Sequence, residues 1–359
     1  MSDPPDALRP WLEARVREGW MPGATWWVGT TDRVLAHGAV GWAALEPQRE
    51  PTAEARPYDL ASLTKPLATA VLAVLLERAG TIDLDEPVGR LLEPLAGSTW
   101  AATPLRELAT HQSGLPAWQP LYLEAADLDG CLAAIAAAVP AGPRGGTLYS
   151  DLGYILLGAA LERASGEPLD VLLAQHVTGP LALERLGFAT RDRRFPDAAA
   201  TERGNAYERG LAGERGAGHA WRTAVLRGEV HDANAQLLGG VAGHAGLFGT
   251  AEEVAAIARE IVRPERLELD ERGRLKLLQA ASGADRTVGF QTAAQSSASR
   301  GVLPASSVGH TGFTGTSLWI DPPNRRLYVL LTNRVHPVVG PRNFQLVRRG
   351  FHRLAGALR

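Results

Sequence analysis

The chain has 359 residues, 45% of them hydrophobic, and a formal net charge of -2; this leaves room for two or more packed units and enough apolar material for a sizeable core. Its charges are dispersed, without a basic stripe or an acidic tail, which argues against a nucleic-acid partner. No apolar run approaches membrane-spanning length and the first residues lack the features of a secretory signal, so with Met1 as the natural start the expectation is a soluble, cytoplasmic protein with no membrane partner.

Residues 5–18 alternate apolar and charged positions at helical spacing, and β-rich runs follow at 24–30 and 33–41 around a Thr-Asp turn, predicting a helix and a hairpin. Residues 62–80, SLTKPLATAVLAVLLERAG, are apolar on nearly all sides, begin with a capping-type residue and end in glycine. That pattern predicts one helix buried in the middle of a domain, with Pro66 in its first turn, where proline is tolerated. From about residue 103 to 227 the chain is Ala/Leu-rich and broken by Gly and Pro clusters, predicting an α-helical insertion. Cys131, the only cysteine, lies there in CLAAIAAAV; it reads as a small core residue, and its solitude excludes an internal disulfide framework. β signals return at 317–321 and 326–333, split by Pro-Pro-Asn, before a last helix at about 341–358.

Strands at both ends with helices between predict one antiparallel sheet completed by the two chain ends. The expected class is therefore α/β (α+β), an antiparallel sheet flanked by helices. Residues 1–100 and 236–359 would form the sheet domain, with an α-helical domain inserted at 101–235 and the active site at their junction.

Three segments carry chemistry. Ser62 and Lys65 stand three residues apart in Ala-Ser-Leu-Thr-Lys at a helix start, a spacing that puts both side chains on one face. A serine hydroxyl needs a base within reach, and a lysine serves once burial and the helix end lower its pKa. Lys65 and Lys276 are the only lysines in an arginine-rich chain, so each invites a chemical question. Alone, so short a pattern more often marks a serine helix cap followed by a solvated lysine. The second segment is Tyr149-Ser150-Asp151 before a core-rich helix; its plain alternative is a core aromatic and an aspartate N-cap. The third runs from Gly309 through His310, Thr311, Gly312 and Phe313 to Ser317, directly before a strand. A glycine-rich edge of this kind lets a substrate backbone approach and exposes N–H donors.

In this order and at these separations the segments resemble the S-x-x-K, Y-x-N and K-T-G elements of class C β-lactamases, DD-peptidases and related esterases. The segments 108–116 and 153–166 are likewise similar to "LLTHTSGLP" and "GYxLLGxIIExxSG" of that family. The resemblance implies a β-lactamase/DD-peptidase-like fold in which Ser62 forms an acyl-enzyme and Lys65 and Tyr149 move the proton to the leaving group; it leaves open which of the two is the base. It also implies an oxyanion site at the amides of Ser62 and Phe313, with Thr311 and Gly312 lining the substrate edge. Two positions depart from the pattern. Asp151 replaces the usual asparagine, adding a negative charge that would favour protonated Lys65. His310 replaces the usual lysine, so a permanent cation becomes a group expected to be partly exposed and charged only on the acid side of neutrality.

Residues 228–248 resemble the penicillin-binding protein 4B-like subgroup and bring His231, Asp232 and His244 towards the cleft. Adjacent His and Asp are not a ligand spacing, so a hydrogen-bonded structural role is expected there, with no metal and no cofactor. The G-x-S-x-G, H-E-x-x-H and nucleotide-binding motifs are absent. The expected function is a serine hydrolase of small ester, amide or peptide substrates: an esterase, D-alanyl peptidase or weak β-lactamase. The alternative is a non-catalytic sensor of muropeptides or penicillins using the same cleft. The oligomeric state is left open.

Overall fold

The computed structural model describes residues 7–281 and 284–359. Ten strands occur among them: β1 Gly23–Thr30, β2 Val34–Ala44, β3 Glu50–Pro51, β4 Tyr58–Asp59, β5 Gly187–Phe188, β6 Leu247–Gly249, β7 Gln291–Thr292, β8 Val308–Thr311, β9 Ser317–Asp321 and β10 Arg326–Thr332. Seven of them form an antiparallel sheet in the order β3-β2-β1-β10-β9-β8-β7. The two ends of the chain meet at its centre, with Ala24 opposite Thr332 and Thr30 opposite Arg326, as the strand signals at both ends predict.

Alternation along β1 explains its burial on both faces. Trp26 and Val28 pack with Leu8, Leu12, Val347 and Phe351 from the terminal helices Leu8–Arg17 and Gln345–Ala357. Trp27 faces the opposite core with Leu327, Val329 and the helix Ala251–Val262. Residues 5 and 6 of the predicted first helix lie outside the described residues. Cys131 is buried on the helix Leu128–Ala136. No helix among the described residues is long and apolar enough to cross a membrane.

Two local expectations are corrected. Residues 62–80 are not one regular helix: a 3-10 turn at Ala61–Leu63 leads into a π-helical stretch at Lys65–Ala70 and only then the α-helix Val71–Arg78. Pro66 opens the widened turn, where its missing N–H has no ordinary α-helical role to fill. Ser62 is consequently inside the first turn and makes no cap. The segment 101–235 is not wholly helical either, because β5 falls within it and pairs with β6, which also pairs with β4. The polar run 189–205, rich in arginine, aspartate and alanine around a proline, carries no helix.

The helix Asp151–Ser165 crosses the segment 239–246 at a glycine contact. A Cβ on Gly243 would collide with the Tyr154 carbonyl oxygen, and one on Gly158 with the Gly243 backbone. Only glycine permits this approach, and it brings His244 to the buried end of Lys65. Replacing Gly243 by alanine should lower stability by ~1–3 kcal/mol through overpacking. At Gly210, where a Cβ would meet nothing, the same change should cost nothing. Urea unfolding midpoints check this; equal midpoints for Gly243→Ala and wild type would refute the contact.

Candidate active site

The turn carrying Ser62 is held from several directions. Ala61 adopts a left-handed conformation with φ 48°, a strained geometry for a residue with a side chain. The Asp59 carboxylate supports it, accepting from the Ala61 amide at 2.8 Å and from the His231 amide at 2.8 Å. Burial pushes the Asp59 carboxyl up against those two bonds. The glycine-rich edge ties to the same turn: Thr314 donates to the Asp59 carbonyl at 2.8 Å and Thr316 to the Leu60 carbonyl at 3.1 Å.

Ser62 Oγ has two partners. The Tyr149 hydroxyl donates to it at 2.9 Å, and Lys65 Nζ lies 3.0 Å away. Lys65 is completely buried, and its nitrogen also donates to the His244 carbonyl at 3.0 Å and pairs with Asp151 Oδ1 at 2.7 Å. Burial lowers the Lys65 pKa, and the Asp151 charge opposes that shift without reversing it. Tyr149 moves the other way: burial, reinforced by the Asp151 charge, holds its phenol well above the usual range. The N-cap of the helix Asp151–Ser165 is Ser150, which accepts from the Gly153 amide. Asp151, one residue on, is thereby free to reach Lys65 and is not the cap.

On β8, His310 departs from expectation. It is 3% exposed, and burial, with the charges of Lys65 and Arg286, drives its pKa well below 6.5. Its Nδ1 lies 2.9 Å from the Thr311 carbonyl oxygen, so Nδ1 carries the proton and donates. A ring packed 5.8 Å from that of Tyr149 is not a partly exposed group that charges just below neutrality. Thr311 ends β8, the Gly312 amide donates to the Thr316 carbonyl at 2.8 Å, and no hydrogen bond among the described residues engages the Phe313 amide.

His231, Asp232 and His244 form two separate pairs. His231 Nε2 meets Glu202 Oε2 at 3.0 Å, and His244 Nε2 meets Asp232 Oδ1 at 3.0 Å. Burial alone would lower His231, but the Glu202 bond, with the charges of Glu208 and Asp59, leaves it raised. Asp232 also caps the helix Ala233–Leu237 by accepting from the Ala235 amide. No group of three metal-ligating side chains occurs among the described residues.

A pocket of about 260 Å³ opens beside Ser62; Asp59, Asp151, Glu208, His231, Asp232 and Phe313 line it. Sequence reasoning passed over Asp59, Glu202, Glu208, His111 and Arg286. The aspartate two residues before the strained turn was the one local signal. His111 lies in the 108–116 segment already matched to the family but was given no role, and Glu202, Glu208 and Arg286 come to the site from distant segments whose own sequence reads as surface or loop.

Residues 8–350 match the sequence profile of the family described as Beta-lactamase. The chain is 31% identical over 312 residues to the N-acetylmuramyl-L-alanine amidase of Bacillus subtilis (strain 168), covering 79% of this chain and 69% of that protein. It is 30% identical over 319 residues to an Escherichia coli (strain K12) protein named "Putative D-alanyl-D-alanine carboxypeptidase", covering 79% and 70%. Among solved structures the fold is similar to EstCE1, a hydrolase with promiscuous acyltransferase activity, with TM-score 0.74, 20% identity and coverage of 98% and 97%. It is also similar to the class C beta lactamase from Rhodobacter sphaeroides, with TM-score 0.73, 19% identity and coverage of 99% and 100%.

The buried His310 ring makes a prediction that needs no substrate. Nitrogen-15 spectra should show it as the neutral Nδ1–H tautomer between about pH 8 and about pH 6, with its midpoint below the reference value of about 6.5. The native ring resists a proton that the unfolded ring accepts. Its contribution to stability is therefore full above about pH 6.5 and is lost as the pH falls below that value. A midpoint at or above the reference value would contradict the burial.

Proposed function

This chain belongs to the Beta-lactamase family, and from that premise we propose that it is a serine hydrolase that forms an acyl-enzyme on Ser62 from small amide or ester substrates. The observation that carries the reading is Ser62 Oγ within hydrogen-bond reach of both Lys65 Nζ and Tyr149 Oη. The opposite pKa directions divide the labour between them. A lysine lowered by burial is the acceptor, and a tyrosine held protonated is the donor. In the deprotonated form that reacts, Lys65 donates to the His244 carbonyl and Asp151 and turns its lone pair to the Ser62 hydroxyl.

As Oγ attacks the carbonyl carbon, its proton passes to Lys65 Nζ and the oxyanion forms between the Ser62 and Phe313 amides. The carbon–leaving-group bond then breaks while the leaving atom takes a proton from Tyr149, which is resupplied from Lys65. Water repeats the sequence to release the acid and free Ser62. The substrates named for the relatives, D-alanyl peptides and the N-acetylmuramyl-L-alanine bond, support small cell-wall amides as a substrate class, and EstCE1, a hydrolase with promiscuous acyltransferase activity, is compatible with transfer through an acyl-enzyme. The likeness to the penicillin-binding protein 4B-like subgroup rests on residues 228–248 alone. A sensor without catalysis would have no use for the shared contacts of Ser62, Lys65 and Tyr149.

Intact-protein mass spectrometry should find one fluorophosphonate adduct per chain, absent in Ser62→Ala, and that variant should lose ester hydrolysis by roughly 10³-fold or more. A full adduct on Ser62→Ala would remove the nucleophile from this scheme.

The base assignment has its own test in Asp151→Asn. With Asp151 neutral, burial acts on Lys65 with less opposition and its pKa falls further. The acid limb of the pH profile of kcat/KM, which follows deprotonation of Lys65, should then move down by on the order of one pH unit. An unmoved or upward-shifted limb would mean that Lys65 is not the base.

A further inference from the structure

The pocket beside Ser62 is rich in carboxylates, and one oxygen among them has no hydrogen-bond partner among the described residues. Asp59 accepts from two backbone amides, Asp151 pairs with Lys65, and Asp232 pairs with His244 and caps a helix. Glu208 differs. Its Oε1 accepts from the Ala233 amide at 3.0 Å, but Oε2 is buried with no hydrogen-bond partner among the described residues. The residue is 6% exposed and lines the pocket. Burial and the charge of Asp232 raise its carboxyl to about 7, against the opposing charges of His231 and Arg222, which are themselves engaged by Glu202 and Glu229. A buried carboxylate in this state gains from any cation that also brings an N–H donor. The adjoining wall adds the Tyr207 ring, which meets the Phe313 ring at 4.9 Å; Phe313 is itself already engaged by the Arg334 guanidinium and the His231 ring, so the aromatic face left for a ligand cation is that of Tyr207.

The position of the pocket says which half of a substrate enters it. Ser62 and Phe313 line it, whereas Tyr149, His310 and Thr311 do not. With the leaving group protonated from the Tyr149 side, the pocket is left for the acyl half. We propose that it binds a primary ammonium carried on the acyl portion of the substrate, with Glu208 Oε2 as the counter-ion. The inference rests on acylation of Ser62 as set out above and narrows the substrates to amino-acyl esters and amides.

The test compares p-nitrophenyl 3-aminopropanoate with p-nitrophenyl butanoate, which exchange an ammonium for a methyl group of the same size. Each rate is divided by its spontaneous hydrolysis rate at about pH 8, above the carboxylate range. Wild type should favour the ammonium ester by roughly tenfold in kcat/KM. Glu208→Gln, which keeps an oxygen for the Ala233 amide, should bring the ratio towards one. Should that variant fail to fold, competitive inhibition of wild type by propylammonium, with 1-butanol much weaker, reads the same preference. Equal or lower rates for the ammonium ester would overturn the inference and leave Glu208 answered within the protein by the Tyr122 hydroxyl, which feels its charge and lies close enough to bond to it. A ratio unchanged in Glu208→Gln would overturn the role of that residue. Failure of Ser62 to take a fluorophosphonate adduct would instead overturn the parent reading, so the two failures are separable.

Discussion

A lysine nitrogen shut off from solvent must be answered by the protein, and around Lys65 that requirement ties the architecture together. An unanswered ammonium at that depth would cost several kcal/mol, while a fully hydrogen-bonded amine is tolerable. Its three partners come from three parts of the chain: Ser62 from its own turn, Asp151 from the start of a helix, and the His244 carbonyl from the segment before β6. Thr69 Oγ1, four residues on from Lys65, donates to the Gly243 carbonyl at 2.7 Å. The close approach of Gly158 and Gly243 is therefore a condition for satisfying the lysine.

The second constraint is the strained turn before Ser62. Ala61 stays left-handed because Asp59 binds its amide from below while threonines of the glycine-rich edge bind the Asp59 and Leu60 carbonyls. The other Asp59 oxygen takes the His231 amide. A residue far from Ser62 in sequence thus helps to aim it, which gives the His231 segment a structural use whatever else it does. Separating His231–Glu202 from His244–Asp232 also keeps each imidazole beside its own carboxylate.

The parts legible in the sequence are those whose physics is local. The β-rich runs at 24–30 and 326–333 announced two strands, and their pairing across the whole chain follows from the sheet they must share. The spacing of Ser62 and Lys65, joined to Tyr149 by resemblance, named three side chains that the fold brings within hydrogen-bond distance. What was not legible depends on neighbours from elsewhere. The widened turn at Lys65–Ala70 needs the surrounding core to hold it. The protonation of His310 depends on burial beneath Lys65, Arg286 and Tyr149. Glu208 sits in Tyr-Glu-Arg-Gly, a tetrapeptide that reads as solvated surface, and only the fold turns its carboxylate into a pocket wall.

The surroundings of Tyr149 extend the argument from the lysine to the tyrosine. Two imidazoles flank the phenol, His111 at 4.5 Å and His310 at 5.8 Å between ring centroids. Burial drives both histidines well below their usual pKa, and the charges of Arg286 and Lys65 push them in the same direction. His111 Nδ1 accepts from the Ser150 amide at 3.1 Å, which fixes its unprotonated side towards the backbone. Neither imidazole therefore offers the positive charge that would stabilise a phenolate, and Asp151 opposes one directly. The Arg286 guanidinium, 5.7 Å from the Tyr149 ring, works in the other direction but does not prevail. A protonated tyrosine beside a lysine of lowered pKa is the arrangement that the proposed reaction requires, with the serine proton passing to nitrogen and the leaving group taking its proton from oxygen. Substituting histidine for the usual lysine at position 310 suits that arrangement, since a fixed ammonium packed against Tyr149 would have drawn the phenol towards ionisation.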